Sequence, residues 1–271
     1  MKTRILPVLF GVLALVTVGQ AKIVTKAVGY EHAGVKLEGW LAYDDSTTAK
    51  RPGVLVVPEW WGLNDFPKDK AVELAKLGYV AFAIDMYGKG VTTEDPKRAG
   101  ELAGQFYGKP LMADRARAGL DQLLATGLVA NGKVAAIGFC FGGATCQALA
   151  YSGAPVAGIV SFHGSLIPAP VGASHNARIL ILHGAADTFI TAEQIAAFKQ
   201  SMKDGGFDMQ WISYQGAVHA FTNPDATRIG KEHGMNIAYN EPAAKASWVK
   251  MQEFFHTVFS RSDPPQGGLQ R

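Results

Sequence analysis

Gly138-Phe139-Cys140-Phe141-Gly142-Gly143 stands between the apolar run Lys133–Ile137 and an alanine-containing stretch that continues through Tyr151. The run reads as a buried parallel strand and the stretch as the helix that follows it. A side chain held at a sharp strand-to-helix turn sits in a strained backbone conformation. Glycines two before and two after it let strand and helix approach closely. The pattern is that of a nucleophile elbow, with Cys140 where serine usually stands. The helix beginning just after Cys140 points backbone N–H groups and its positive dipole end at the sulfur, which favours thiolate. The motif also describes a buried cysteine in a glycine-rich turn, so its meaning depends on partners elsewhere in the chain.

Those partners follow in the order acid, then histidine. The apolar run 178–182 ends in His183-Gly184-Ala185-Ala186-Asp187, which puts Asp187 in a loop beyond a strand's carboxyl end. The run 209–214 is followed by Gln215-Gly216-Ala217-Val218-His219, which puts His219 in the corresponding loop of the last strand. A lone loop aspartate is ordinarily a turn former and a lone loop histidine ordinarily solvated. Three strand-end loops in the order Cys, Asp, His favour a catalytic triad. Ahead of them, Pro58-Glu59-Trp60-Trp61-Gly62 follows the apolar run 53–57, in the loop that supplies the second oxyanion donor of such a site. The backbone N–H groups of Trp60 and Phe141 would then face the developing oxyanion. Glu59 has two readings: it holds the resting thiol protonated or takes its proton, or it is a loop carboxylate paired with a nearby base.

Around these loops the chain alternates strand and helix. Ile23–Tyr30 and Val35–Tyr43 predict a hairpin turning near Ala33-Gly34. Strands are predicted at 53–57, 80–84, 133–137, 156–160, 178–182 and 209–214. Helices are predicted at 64–77, 96–106, 111–124, 190–202 and 243–259, and through Tyr151 after the elbow. This predicts one α/β domain over residues 22–260, with a mostly parallel central sheet flanked by helices and an N-terminal hairpin. A length of 271 residues suits a single domain of this class. A hydrophobic fraction of 48% excludes disorder, and two cysteines exclude a disulfide scaffold. With 26 Lys and Arg against 23 Asp and Glu and no basic run, nothing asks for nucleic acid. The histidines do not cluster at ligand spacing, so neither metal nor other cofactor is expected.

Residues 1–21 read as a secretory signal. Lys2 and Arg4 precede the uncharged run Leu6–Val18, and Gly19-Gln20-Ala21 places small residues three and one before a cut after Ala21. The alternative is a membrane anchor, but 13 residues span about 20 Å as a helix, short of the ~30 Å hydrocarbon core. The expectation is a secreted or periplasmic protein without a stable membrane anchor. Residues 261–271, with Pro264-Pro265 and Gly267-Gly268, are expected to be a disordered tail. Cys140 and Cys146, if on one helix, are about 9 Å apart, too far for a disulfide.

Taken in order, Pro58-Glu-Trp-Trp-Gly-Leu-Asn64, Gly78-Tyr-Val-Ala-Phe-Ala-Ile-Asp85-Met-Tyr87, the Cys140 elbow, His183-Gly-Ala-Ala-Asp187 and Gly216-Ala-Val-His-Ala-Phe221 resemble the dienelactone hydrolase family. The likeness runs from about residue 24 to 259. The Glu59 block together with a cysteine elbow is specific; the Asp and His blocks occur across α/β-hydrolases. The resemblance implies an α/β-hydrolase fold and a Cys140–His219–Asp187 triad. It also implies that Glu59 leaves Cys140 for another partner when substrate binds. The family's lactonase pattern has Ser and Arg where this chain has Ala220 and Asn223, and Arg where it has Lys89. Those arginines hold a substrate carboxylate, so the substrate is expected to differ: Lys89 would be a weaker anchor, and Trp61, Tyr87 and Phe221 would be apolar walls. His163 reads either as a pocket residue or as a structural imidazole.

The leading expectation is an exported hydrolase of small esters or lactones acting through a covalent thioester. The alternatives are a thioesterase or acyl transferase with the same triad, and a non-catalytic thiol-containing binding protein.

Overall fold

The computed structural model describes residues 22–260; the predicted export segment 1–21 and tail 261–271 lie outside the described residues. The chain opens with β1 (Ile23–His32) and β2 (Val35–Asp44), paired antiparallel from His32↔Val35 outward. Their two-residue turn has Ala33 at φ 51° and Gly34 at φ 75°. Two left-handed residues match the twist of a tight hairpin. There follow β3 (Arg51–Val57), α1 (Asp65–Lys76), β4 (Val80–Ala83), α2 (Pro96–Gly104), α3 (Leu111–Ala125), β5 (Val129–Phe139) and α4 (Phe141–Tyr151). The chain continues with β6 (Gly158–Phe162), β7 (Arg178–Gly184), α5 (Ala192–Asp204), β8 (Met209–Tyr214), α6 (Ala226–His233) and α7 (Glu241–Ser260).

The eight described strands form one sheet in the order β1-β2-β4-β3-β5-β6-β7-β8, parallel from β4 through β8. Side chains alternate across it, as the strand period requires. Leu55 and Val57 of β3 and Val134 and Ala136 of β5 face a core with α2, α3, α4 and α5. Val54 and Val56, with Ala135, Ile137 and Phe139, face the opposite core with α1 and α7. Both faces are therefore covered, which explains the continuous apolar runs.

Local chemistry sets several boundaries. Asp95 accepts from the backbone N–H of Lys97, with Pro96 opening α2. Thr191 and Gln194 form a reciprocal capping box on α5. Gly234, at φ 64°, ends α6 in the left-handed conformation. Two expectations shift. The predicted strand 156–160 pairs two residues later, starting at Gly158↔Ala135. Helix α6, unexpected after Asn223-Pro224, packs Ile229 and Ala226 against Trp61 and Ala220 beyond the sheet's carboxyl edge.

That edge is where the singled-out residues gather. Glu59 lies two residues past β3, Cys140 one past β5, Asp187 three past β7 and His219 five past β8. The chain winds from β3 outward to β4 and then returns to β5 on β3's other side. A crevice opens at such a reversal.

Candidate active site

Cys140 has φ 54° and ψ −115°, a conformation rarely adopted by a residue with a Cβ. Its N–H is anchored on Phe162 O of the neighbouring strand at 3.0 Å, which helps hold the strained turn. The flanking glycines are required by distance. A Cβ on Gly138 would lie 2.0 Å from Gly142 O, and one on Gly142 would lie 2.3 Å from Val57 O. Strand and helix thus touch backbone to backbone around the cysteine. Cys140 is partly exposed, whereas Cys146 is fully buried in α4, where burial pushes its thiol well up; both are free.

Asp187 and His219 meet across two adjacent strand-end loops. Ala186 N–H donates to Ala217 O at 2.9 Å and ties the loops together. Asp187 Oδ2 lies 2.9 Å from His219 Nδ1, and its Oδ1 accepts from Phe189 N–H at 2.8 Å. Burial disfavours charge on the imidazole, but the nearby Cys140 and Asp187 side chains more than offset it and raise His219 to about 10. The arrangement favours the imidazolium form of His219.

Glu59 is 2% exposed. Its Oε2 accepts from Asn223 Nδ2 at 2.6 Å, while Oε1 is buried without a protein partner. Burial raises its carboxyl to about 7, against the hydrogen bond from Asn223 and the charge of His219. The partner expected for Glu59 in the resting site was Cys140; the carboxyl is bonded to Asn223 instead. The residue marking a lost arginine thus has its own task, which sequence reading missed.

A cavity of about 340 Å³ brings Cys140, His219, Glu59, Trp60, Trp61 and Phe141 together, with Ala220 also on its wall. Among the described residues, neither Trp60 N–H nor Phe141 N–H donates to a protein acceptor. Both donors lie at the expected ends of β3 and β5. Tyr107 and Ser165, joined through their hydroxyls at 3.3 Å, and Phe189, Met235 and Ile237 complete the wall. Burial, reinforced by Cys140, pushes the Tyr107 phenol up to about 12.

Four residues expected in the substrate pocket are elsewhere. Lys89 is largely exposed and its ammonium pairs with Glu38 of β2 at 2.7 Å. His163 is fully buried, bonded through Nε2 to Thr222 Oγ1 at 2.7 Å, and its ring stands edge-on to His219 at 5.4 Å. Burial and the charge of His219 hold it well below the usual imidazole range. Phe221 is fully buried against His163 and Tyr214, behind the histidine. Tyr87 stands behind the wall: its hydroxyl donates to Trp60 O at 3.0 Å and its ring packs on Phe141 at 5.9 Å. It buttresses the loop carrying the Trp60 donor.

Among the described residues, no helix is long and apolar enough to cross a membrane. No group of three or more metal-ligating side chains occurs among them either.

The profile of the dienelactone hydrolase family matches residues 37–259. A solved structure described as a dienelactone hydrolase-like promiscuous phosphotriesterase from metagenomic libraries superposes with a TM-score of 0.81 at 37% identity, covering 87% of this chain and 98% of that one. Another, m3DLH, gives a TM-score of 0.83 at 36% identity over 88% and 99% of the two chains. A Yersinia pestis protein named "Putative carboxymethylenebutenolidase" is 28% identical over 236 residues, 82% of this chain and 84% of its own length.

Proposed function

Because the chain belongs to the dienelactone hydrolase family, it is a carboxylic ester hydrolase, and we propose that it cleaves small esters or lactones with Cys140 as nucleophile. The observation that carries this reading is the alignment of a strained, cavity-facing Cys140 with a His219–Asp187 pair bonded at 2.9 Å. With the thiol proton held on His219, Cys140 Sγ attacks the carbonyl carbon. The oxyanion forms between the N–H groups of Trp60 and Phe141. The C–O bond then breaks, and His219 returns the proton to the leaving oxygen. Water, deprotonated by His219, attacks the thioester; the C–S bond breaks and the carboxylic acid departs. Asp187 fixes the imidazole tautomer throughout.

Among the described residues lining the cavity there is no Lys or Arg, while Trp60, Trp61, Phe141, Phe189 and Ile237 are apolar or aromatic. A neutral acyl group suits this wall better than a carboxylate-bearing one. Export of residues 22–271 after cleavage at Ala21 remains part of the proposal and is supported by the sequence of residues 1–21.

The test is a comparison of Cys140→Ala with Cys146→Ala on a chromogenic aryl ester. Loss of several orders of magnitude in turnover is expected for the first alone, together with loss of the pre-steady-state burst and of active-site alkylation. Activity retained in Cys140→Ala would overturn the mechanism.

A further inference from the structure

Glu59 lines the cavity, and its carboxyl oxygen Oε1 is buried with no protein partner. Its sister Oε2 is fixed by Asn223 Nδ2 at 2.6 Å. The amide itself is oriented, because Asn223 Oδ1 accepts from Asp225 N–H at 3.0 Å, so its NH2 group must face Glu59. The Asn223 amide brings no positive charge, and burial outweighs both its hydrogen bond and the charge of His219, which favours the neutral form of the carboxyl. Since Oε2 is the acceptor for Asn223, the proton of the neutral form sits on Oε1. A carboxylic acid O–H there meets no protein acceptor among the described residues, and the cavity that Glu59 shares with the thiol acquiring the acyl group is where an acceptor can come from.

We propose that Glu59, oriented by Asn223, donates a hydrogen bond to the acyl part of the substrate, selecting esters whose acyl group carries a second, hydrogen-bond-accepting oxygen. This rests on the reading that the ester occupies the Cys140 cavity. The donor exists only while Glu59 is protonated. As it ionises near 7, its lone pairs face those of the acceptor and the preference fades. The titratable groups acting on Glu59 are Cys140, which shares its cavity, His219, whose charge favours ionisation, and Asp225, whose charge opposes it. Their direct effects on thiol chemistry are common to all esters and cancel in a ratio of two substrates.

The experiment compares kcat/KM for 4-nitrophenyl methoxyacetate and 4-nitrophenyl butanoate, acyl groups of matched length that differ by one ether oxygen. In the wild type the ratio is expected to fall roughly fivefold between a pH well below and one well above the Glu59 ionisation. Glu59→Gln presents an N–H where the acid has its O–H, so its ratio stays high at both pH values. Glu59→Leu, with no donor, has the low ratio at both. A wild-type ratio independent of pH overturns the proposal even if a variant fails to fold. So does a Glu59→Gln ratio equal to that of Glu59→Leu, or a Glu59→Gln enzyme inactive on both esters, which would mark the carboxylate as a base. The nucleophile assignment fails separately, through activity surviving in Cys140→Ala.

Discussion

The ring of Phe189 lies 5.0 Å from the imidazole of His219, centroid to centroid, while the backbone N–H of the same residue donates to Asp187 Oδ1 at 2.8 Å. One residue thus shields the histidine from solvent and holds the carboxylate that orients it. The backbone contact survives any substitution except proline, whereas the shield depends on the side chain.

Phe189→Ala should therefore separate the two effects. Phe189 is 49% exposed, so the fold loses little packing. His219 becomes wetter, and its interactions with Asp187 and Cys140 weaken as the local dielectric rises. The expected outcome is a fall in kcat/KM of about tenfold, on the order of 1.4 kcal/mol of transition-state stabilisation, with Tm nearly unchanged. Steady-state kinetics and a thermal melt on the same preparation check this. A large drop in Tm with kcat/KM preserved would make Phe189 a packing residue.

Asp187→Asn preserves shape but not direction. The Asn oxygen can keep the Phe189 N–H, which leaves its NH2 facing His219 Nδ1 and forces the wrong imidazole tautomer. A loss of about two to four orders of magnitude in kcat is expected, by analogy with triads of this geometry. The raised basicity of His219 should fall as well, since Asp187 is one of its causes. Kinetics together with an NMR titration of the imidazole measure both. Unchanged kcat would remove Asp187 from the mechanism.

Lys89 gives a prediction in the opposite direction. Its ammonium is spent on Glu38 at the surface, with 63% of the side chain exposed. Exposed ion pairs of this kind contribute about 0–1 kcal/mol. Lys89→Ala should leave kcat/KM for anionic and neutral esters alike within about twofold, and Tm within a degree or two. A selective loss toward anionic esters would restore the substrate anchor that the family pattern suggested.

The contrast between Lys89 and Asn223 indicates what a sequence can convey about such a site. Cys140, Asp187 and His219 were legible because each stands a fixed, short distance beyond an apolar strand, and parallel topology brings strand ends together. The glycines around Cys140 were legible because backbone contact leaves room for no Cβ. Residues whose place depends on a side chain's reach were not. Lys89 follows Tyr87 as the motif demands, yet finds a carboxylate on β2 first. Asn223 reads as the absence of an arginine until its amide is seen on Glu59, 164 residues away. Tyr107 and Phe189 carry no local signal, since which way a loop or helix end faces is decided by packing from elsewhere. Helix α6 was hidden behind Asn223-Pro224, a turn signal, and is held by Ile229 beneath Trp61.

The buried carboxyl of Glu59 also makes stability depend on pH in a particular window. Its ordinary value is 4.5 and burial raises it to about 7 in the folded chain. Between those values the folded state holds a proton that the unfolded state has lost, so stability falls as pH rises through the interval and levels off above it. Glu59→Gln has no ionisation there. The Tm of the variant minus that of the wild type should therefore be constant below about 4.5, climb as pH rises to about 7, and then plateau. The climb corresponds to about 3 kcal/mol at most for a shift of this size. His219 acts in a different window: its folded value is raised from 6.5 to about 10, so its contribution is full below 6.5 and is lost as pH rises toward 10. It is common to both proteins and largely cancels in the difference. A difference in Tm that stays flat from acid to neutral pH would mean that folding leaves the Glu59 carboxyl at its ordinary value, the Asn223 hydrogen bond and the charge of His219 together offsetting burial.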